Sequence, residues 1–185
     1  MVLYYLGATK EPADVRFPGL FLGLHHTFKN LQGGMMVGCG LGALLGFLRP
    51  GFSRGTMLID TTRCMGVTAG AGLASGFPYS AYAYSHLERE GKQKAAFKIQ
   101  KSCWHNRLDL FTLGGLAAGF AVAPTTVWTG FLEFMGAEAL GRAGCILWCG
   151  FGGLCFDFPA VLTGVLYYAH VDDIDVSMVG GDDDE

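Results

Sequence analysis

Gly33-Gly34-Met35-Met36-Val37-Gly38-Cys39-Gly40-Leu41-Gly42-Ala43-Leu44-Leu45-Gly46 is the stretch that decides the architecture. Within it Gly34, Gly38, Gly42 and Gly46 recur every four residues. Residues four apart share one face of an α-helix, so these glycines form a ridge without side chains along which a second backbone can come close. The run from Leu31 to Leu48 carries no charge and is halted by Arg49-Pro50-Gly51. About 20 apolar residues cross the ~30 Å hydrocarbon core of a bilayer as a helix, and glycine is at home in such helices. The sequence therefore predicts an all-α membrane protein.

Composition agrees. The 185 residues are 51% hydrophobic and only 16% charged, and glycine occurs 29 times. That is about twice the usual glycine share and well below the usual charged share of roughly 25%. No three-residue glycine period exists, which excludes collagen, and 6 prolines exclude a Pro/Gly-rich disordered chain. Length alone argues for one compact unit.

Three further apolar spans follow, giving four expected transmembrane helices at about 31–48, 57–84, 110–131 and 141–168. They divide the chain into an N-terminal segment 1–30, a four-helix domain 31–171 and a tail 172–185. The apolar segment Phe17 to Phe28 either lengthens the first helix or lies at the interface. Pro78 falls near the end of the second span, and Pro124 marks a kink in the third. The small-residue spacing recurs: Gly66 with Gly70, then Gly72 with Gly76, in the second span. Gly115 with Gly119 repeats it in the third, and Gly141, Cys145, Cys149 and Gly153 in the fourth. Such ridges glue helices together where lipid offers no hydrophobic drive to associate.

Charge is unevenly spread. The tail 172–185 holds seven acidic side chains and no base, which reads as a solvated terminus or a contact for a basic surface. Between His86 and Arg107 six bases face two acids, interleaved with Phe97, Ile99 and Trp104. That pattern predicts a short amphipathic helix on a membrane surface, with Lys94, Lys98 and Lys101 beside anionic headgroups such as cardiolipin. Nucleic-acid binding does not suit so apolar a chain. The N-terminus shows neither the pattern of a signal peptide nor that of an Arg-rich transit peptide, so any targeting information is expected to be internal.

Candidate chemistry is sparse. Asp60 and Arg63, three apart, are expected to pair on one helix face, and Asp157 is a lone acid within the fourth span. The six cysteines form no C-x-x-C pair and read as buried thiols. His25 and His26 are adjacent, so they point to different faces and make a poor metal pair. Gly38-x-Gly40-x-x-Ala43 imitates a dinucleotide fingerprint but has no strand before it. No catalytic group, cofactor site or metal site is expected.

The arrangement resembles the four-helix family of mitochondrial inner-membrane protein translocases. The likeness lies in a charged approach to a Gly-Gly-x-x-x-Gly third helix, Arg107-Leu108-Asp109 followed by Gly114-Gly115-Leu116-Ala117-Ala118-Gly119. Within that family it looks most similar to the relative that is an accessory subunit of respiratory complex I. Gly55-Thr56-Met57-Leu58, Thr68-Ala69-Gly70-Ala71-Gly72 and His86-Leu87-Glu88-Arg89 carry that likeness, which covers about residues 30–170. Asn106-Arg107 with a lone Asp109 departs from the family's acidic pair followed by Asn. The loop is longer than usual, and the acidic tail is extra. The resemblance implies a multi-pass protein of the mitochondrial inner membrane. It would be a non-catalytic subunit of NADH:ubiquinone oxidoreductase that braces the membrane arm, its lipids and a contact with complex III. A translocase subunit is the alternative it implies.

Overall fold

The computed structural model describes residues 11–101 and 103–156, of which 103–107 through their backbone. Six helices make up this part: α1 (Pro18–Leu48), α2 (Arg54–Ala83), α3 (Arg89–Lys101), α4 (Cys103–Val122), α5 (Thr126–Met135) and α6 (141–156). Short 3-10 turns at Pro12–Asp14 and Glu138–Leu140 precede α1 and α6. No strand occurs among the described residues.

The first helix starts at Pro18, so the segment before Leu31 lengthens it to 31 residues, or about 46 Å. A sharp turn at Arg49–Ser53 reverses the chain. Ser53 caps α2 by accepting from the Thr56 amide at 3.1 Å, while Thr56 Oγ1 accepts from the Ser53 amide at 3.0 Å. The two helices then run antiparallel along their small-residue ridges. A Cβ at Gly46 would lie 2.9 Å from Met57 Cα, and one at Gly38 would lie 2.6 Å from Met65 Cα. A Cβ at Gly42 would strike Thr61, and one at Gly34 would strike Thr68. From the other side, Gly72 meets the Asn30 backbone and Gly76 meets Thr27. Each step of four along α1 is thus answered by a step back along α2, with backbone against backbone. A contact spacing near four exceeds the 3.6 residues of a helical turn, so the pair wraps with a right-handed sense. Thr68 Oγ1 adds a polar tie, 2.6 Å from Gly34 O.

The second antiparallel pair is α4 with α6, built the same way. Gly119 faces Ile146 Cα, Gly115 faces the Cys149 carbonyl, and Gly153 faces the Phe111 carbonyl. Trp148 Nε1 donates to Thr62 Oγ1 at 2.7 Å, and Leu147 covers Gly66, joining this pair to α2. Met35, fully buried, reaches toward Gly150 and joins it to α1. One end of the bundle therefore gathers the starts of α1 and α4, the end of α2, and α3. The other holds the Arg49–Ser53 turn, α5 and the start of α6.

Three expectations change. Gly66 makes only ordinary contact and Gly70 meets nothing within 4 Å, so the close approach on α2 belongs to Gly72 and Gly76. The reason is phase: Gly66 and Gly70 lie off the face that α1 covers. Gly141 opens α6 with φ +54° and meets nothing within 4 Å, so it is not part of a ridge, although Cys145, Cys149 and Gly153 do form one. The span expected at 110–131 is not one rod. At Ala123-Pro124-Thr125 the chain bends 92°, because Pro124 lacks an amide and Thr125 restarts the helix as its N-cap.

Among the described residues two helical stretches, Pro18–Leu48 and Glu138–Phe156, are long and apolar enough to cross a membrane, with a third if the bent pair counts as one. Helix α2 has the length, with 30 residues, but its Gly, Ser and Thr content and its charges at Arg54, Asp60 and Arg63 dilute its hydropathy. Part of that set, Thr61, Thr68, Gly72 and Gly76, is pressed against α1. Asp157, the rest of the expected fourth span and the acidic tail 172–185 lie outside the described residues, as do residues 1–10.

Candidate functional site

The most unusual polar feature sits where α1 crosses α4. Lys29 and Gln32 are three apart on α1, and Asp109 and Thr112 are three apart on α4, so each pair occupies one helix face. Lys29 Nζ approaches Asp109 Oδ1 to 2.6 Å and donates to Gln32 Oε1 at 3.1 Å. Gln32 Nε2 donates to Asp109 Oδ1 at 3.2 Å and to Thr112 Oγ1 at 3.0 Å. The Thr112 hydroxyl in turn donates to Leu108 O at 2.9 Å. Asp109 is 0% exposed and the Lys29 side chain 20%, so the carboxylate is sealed while the ammonium reaches the edge of the bundle. Such a cluster neutralises its own charge and binds two helices together. With its carboxylate buried, it offers no face to a substrate.

Helix α3 lies at the same end of the bundle. Its inner face buries Ala96 and Gln100, and its apolar residues pack against Val15, Phe21 and Leu22. Gln93 Nε2 donates to the Ala13 and Val15 carbonyls, both at 3.2 Å, tying the helix to the segment before α1. Lys94, Lys98 and Lys101 fall at i, i+4 and i+7 and are all exposed, so the three lysines expected to meet headgroups share one stripe. Lys101 Nζ stands 4.5 Å over the Phe97 ring. Glu90 pairs with Lys94 at 2.9 Å, and this neighbouring ammonium holds the Glu90 carboxyl below the usual carboxylate range.

The expected Asp60–Arg63 pair does not form. Asp60 instead meets Arg49 across the α1–α2 turn, with Nη1 at 3.0 Å from Oδ2 and 3.4 Å from Oδ1. The turn brings Arg49 onto the face of α2 that Asp60 shares, and Arg63 is left exposed. His25 is buried, and His26 lies 3.1 Å from Tyr84 Oη beside the Tyr79 ring. Among the described residues no group of three or more His, Cys, Asp or Glu side chains could hold a metal ion.

Some small residues stay open. An apolar groove of about 460 Å³ runs between α4 and α6, floored by Gly114, Gly115, Gly152 and Gly153 and flanked by Phe111 and Phe156.

Sequence reasoning missed the Lys29–Gln32–Asp109–Thr112 cluster. The signal was present but weak: Gln32 is the sole amide within the run Leu31–Leu48, and Asp109 stands alone at the head of the third span. Comparison of the chain with protein-family models, with curated proteins and with solved structures returns no match.

Proposed function

We propose that this chain is a non-catalytic scaffold subunit of the mitochondrial inner membrane, in which α1, α2, α4 and α6 all cross the bilayer. Its place is as an accessory subunit of respiratory complex I, bracing the membrane arm and its contact with complex III. The observation that carries the reading is the α1–α2 seam, where glycines let two backbones touch from Gly46 and Met57 to Thr27 and Gly76. A rigid seam of this kind suits a brace, since it offers a passing substrate no opening. The sealed Asp109 points the same way: the deepest polar group is spent on joining helices. The Lys94, Lys98 and Lys101 stripe supports contact with anionic phospholipid such as cardiolipin at the α3 end. The assignment to complex I rests on the sequence resemblance.

Native electrophoresis of mitochondria solubilised in mild detergent tests it. The chain is expected to migrate with NADH dehydrogenase activity. Migration with translocase components and an imported precursor would overturn the complex I assignment in favour of a translocase subunit.

A further inference from the structure

Helix α5 carries three distinct faces. Trp128 and Leu132 are buried against Leu58, Ala123 and Cys145, and Trp128 Nε1 donates to Gly141 O at 2.8 Å. About a third of a turn away, at the 100° per residue of a helix, Val127, Phe131 and Phe134 form a second apolar stripe that stays exposed among the described residues, Phe131 leaning on the Trp128 ring. These residues are 74%, 42% and 78% exposed. Thr126, Thr129 and Glu133 occupy the remaining side and are also exposed. Because α5 leaves α4 at 92°, it lies across the end of the bundle. An apolar stripe on one flank and a polar one on another is how a helix sits in the plane of a membrane interface.

Between α5 and the start of α6 opens a cavity of about 320 Å³, lined by Trp128, Glu133, Glu138 and Arg142 among others. None of these three charged side chains forms an ion pair among the described residues. One guanidinium and two carboxylates therefore border the same space with their charges unspent, next to an aromatic ring and beside the exposed stripe.

The geometry points to a headgroup site for a zwitterionic phospholipid of the phosphoethanolamine type, an inference that rests on the membrane placement proposed above. Arg142 takes the phosphate, Glu133 and Glu138 take the ammonium, and the acyl chains run along Val127, Phe131 and Phe134. An anionic lipid is disfavoured by the two carboxylates, and a bare cation by Arg142. The α3 end presents exposed lysines instead, so the two ends of the bundle select different lipids.

The test is native mass spectrometry of the full chain, delipidated in detergent and offered phosphatidylethanolamine or phosphatidylglycerol. With Lys94, Lys98 and Lys101 replaced by Gln to remove the α3 stripe, the protein is expected to retain phosphatidylethanolamine preferentially. Arg142→Gln should weaken that binding about tenfold, the loss of one charge-assisted contact. Glu133→Gln with Glu138→Gln should shift the preference toward phosphatidylglycerol. Equal binding of both lipids in that background, or binding indifferent to Arg142→Gln, would overturn the site. Displacement of the lipid by soluble glycerophosphoethanolamine at equal concentration would overturn the lipid as its occupant. Flotation with vesicles separates the two levels. Failure to float contradicts the membrane placement itself, whereas flotation without lipid preference contradicts this site alone.

Discussion

Lys29 and Asp109 stand 80 positions apart in the chain and 2.6 Å apart in space, the one on α1 and the other on α4. Their bond links the two antiparallel helix pairs at the end where α3 lies. An ion pair with one member sealed from water gains little over an apolar pair, but leaving one charge without the other is costly.

That asymmetry makes a mutational cycle informative. Asp109→Ala or Lys29→Met alone should destabilise the protein by about 3–5 kcal/mol. The double variant Lys29→Met with Asp109→Leu should recover most of that loss. Thermal or denaturant unfolding in detergent measures both. Additive losses in the double variant would show that the two side chains act independently.

The glycine seam makes a second contrast, between two residues of one helix. Gly72→Leu must push a side chain into the Asn30 backbone, whereas Gly70→Leu enters open space. Gly72→Leu should therefore separate α1 from α2, lowering the melting temperature by many degrees and increasing proteolysis at the Arg49–Ser53 turn. Gly70→Leu should change neither. On the α1 side, Gly38→Leu should behave like Gly72→Leu, because Met65 Cα would lie 2.6 Å from its Cβ.

Trp128 anchors α5. Its truncation to Ala removes the ring from the cluster with Leu58, Leu132 and Cys145 and leaves Gly141 O without its donor. A loss of about 3–5 kcal/mol is expected by denaturant unfolding. Phe134→Ser, on the exposed stripe, should leave stability in detergent unchanged.

Glu90 titrates in a way that reports α3. The hydrogen bond and charge of Lys94 lower its pKa. A carboxyl whose folded value is depressed adds to stability above its ordinary value, and that contribution is lost as pH falls through the lowered one. NMR titration should find Glu90 below an ordinary glutamate in the wild type and restored toward it in Lys94→Gln.

The sequence and the fold meet most closely where structure is local. The four-residue period of Gly34, Gly38, Gly42 and Gly46 is visible by eye, and the seam it foretells is there. The lysine stripe of α3 was legible for the same reason, since i, i+4 and i+7 define a face. Choices between equal local patterns were not legible. The second helix offered two glycine series, and only packing against α1 selects Gly72 and Gly76. Asp60 had Arg63 within its own helix, yet the turn delivered Arg49. Pro124 announced a break without its size, because a 92° bend depends on Trp128 and Leu132 finding a core beneath them. The clamp from Lys29 to Asp109 has no local signature at all, since its halves lie on helices that meet only once the bundle has closed.

If the antiparallel helices form a membrane-crossing brace, the two ends of the bundle lie on opposite sides of the bilayer. Single-cysteine labelling tests it most directly. In a cysteine-free background, Ser53→Cys at the α1–α2 turn and Lys94→Cys on α3 are probed in sealed vesicles with a membrane-impermeant maleimide. Only one of the two positions is expected to react from outside, and the other once the vesicles are opened. Reaction of both from the same side would contradict it.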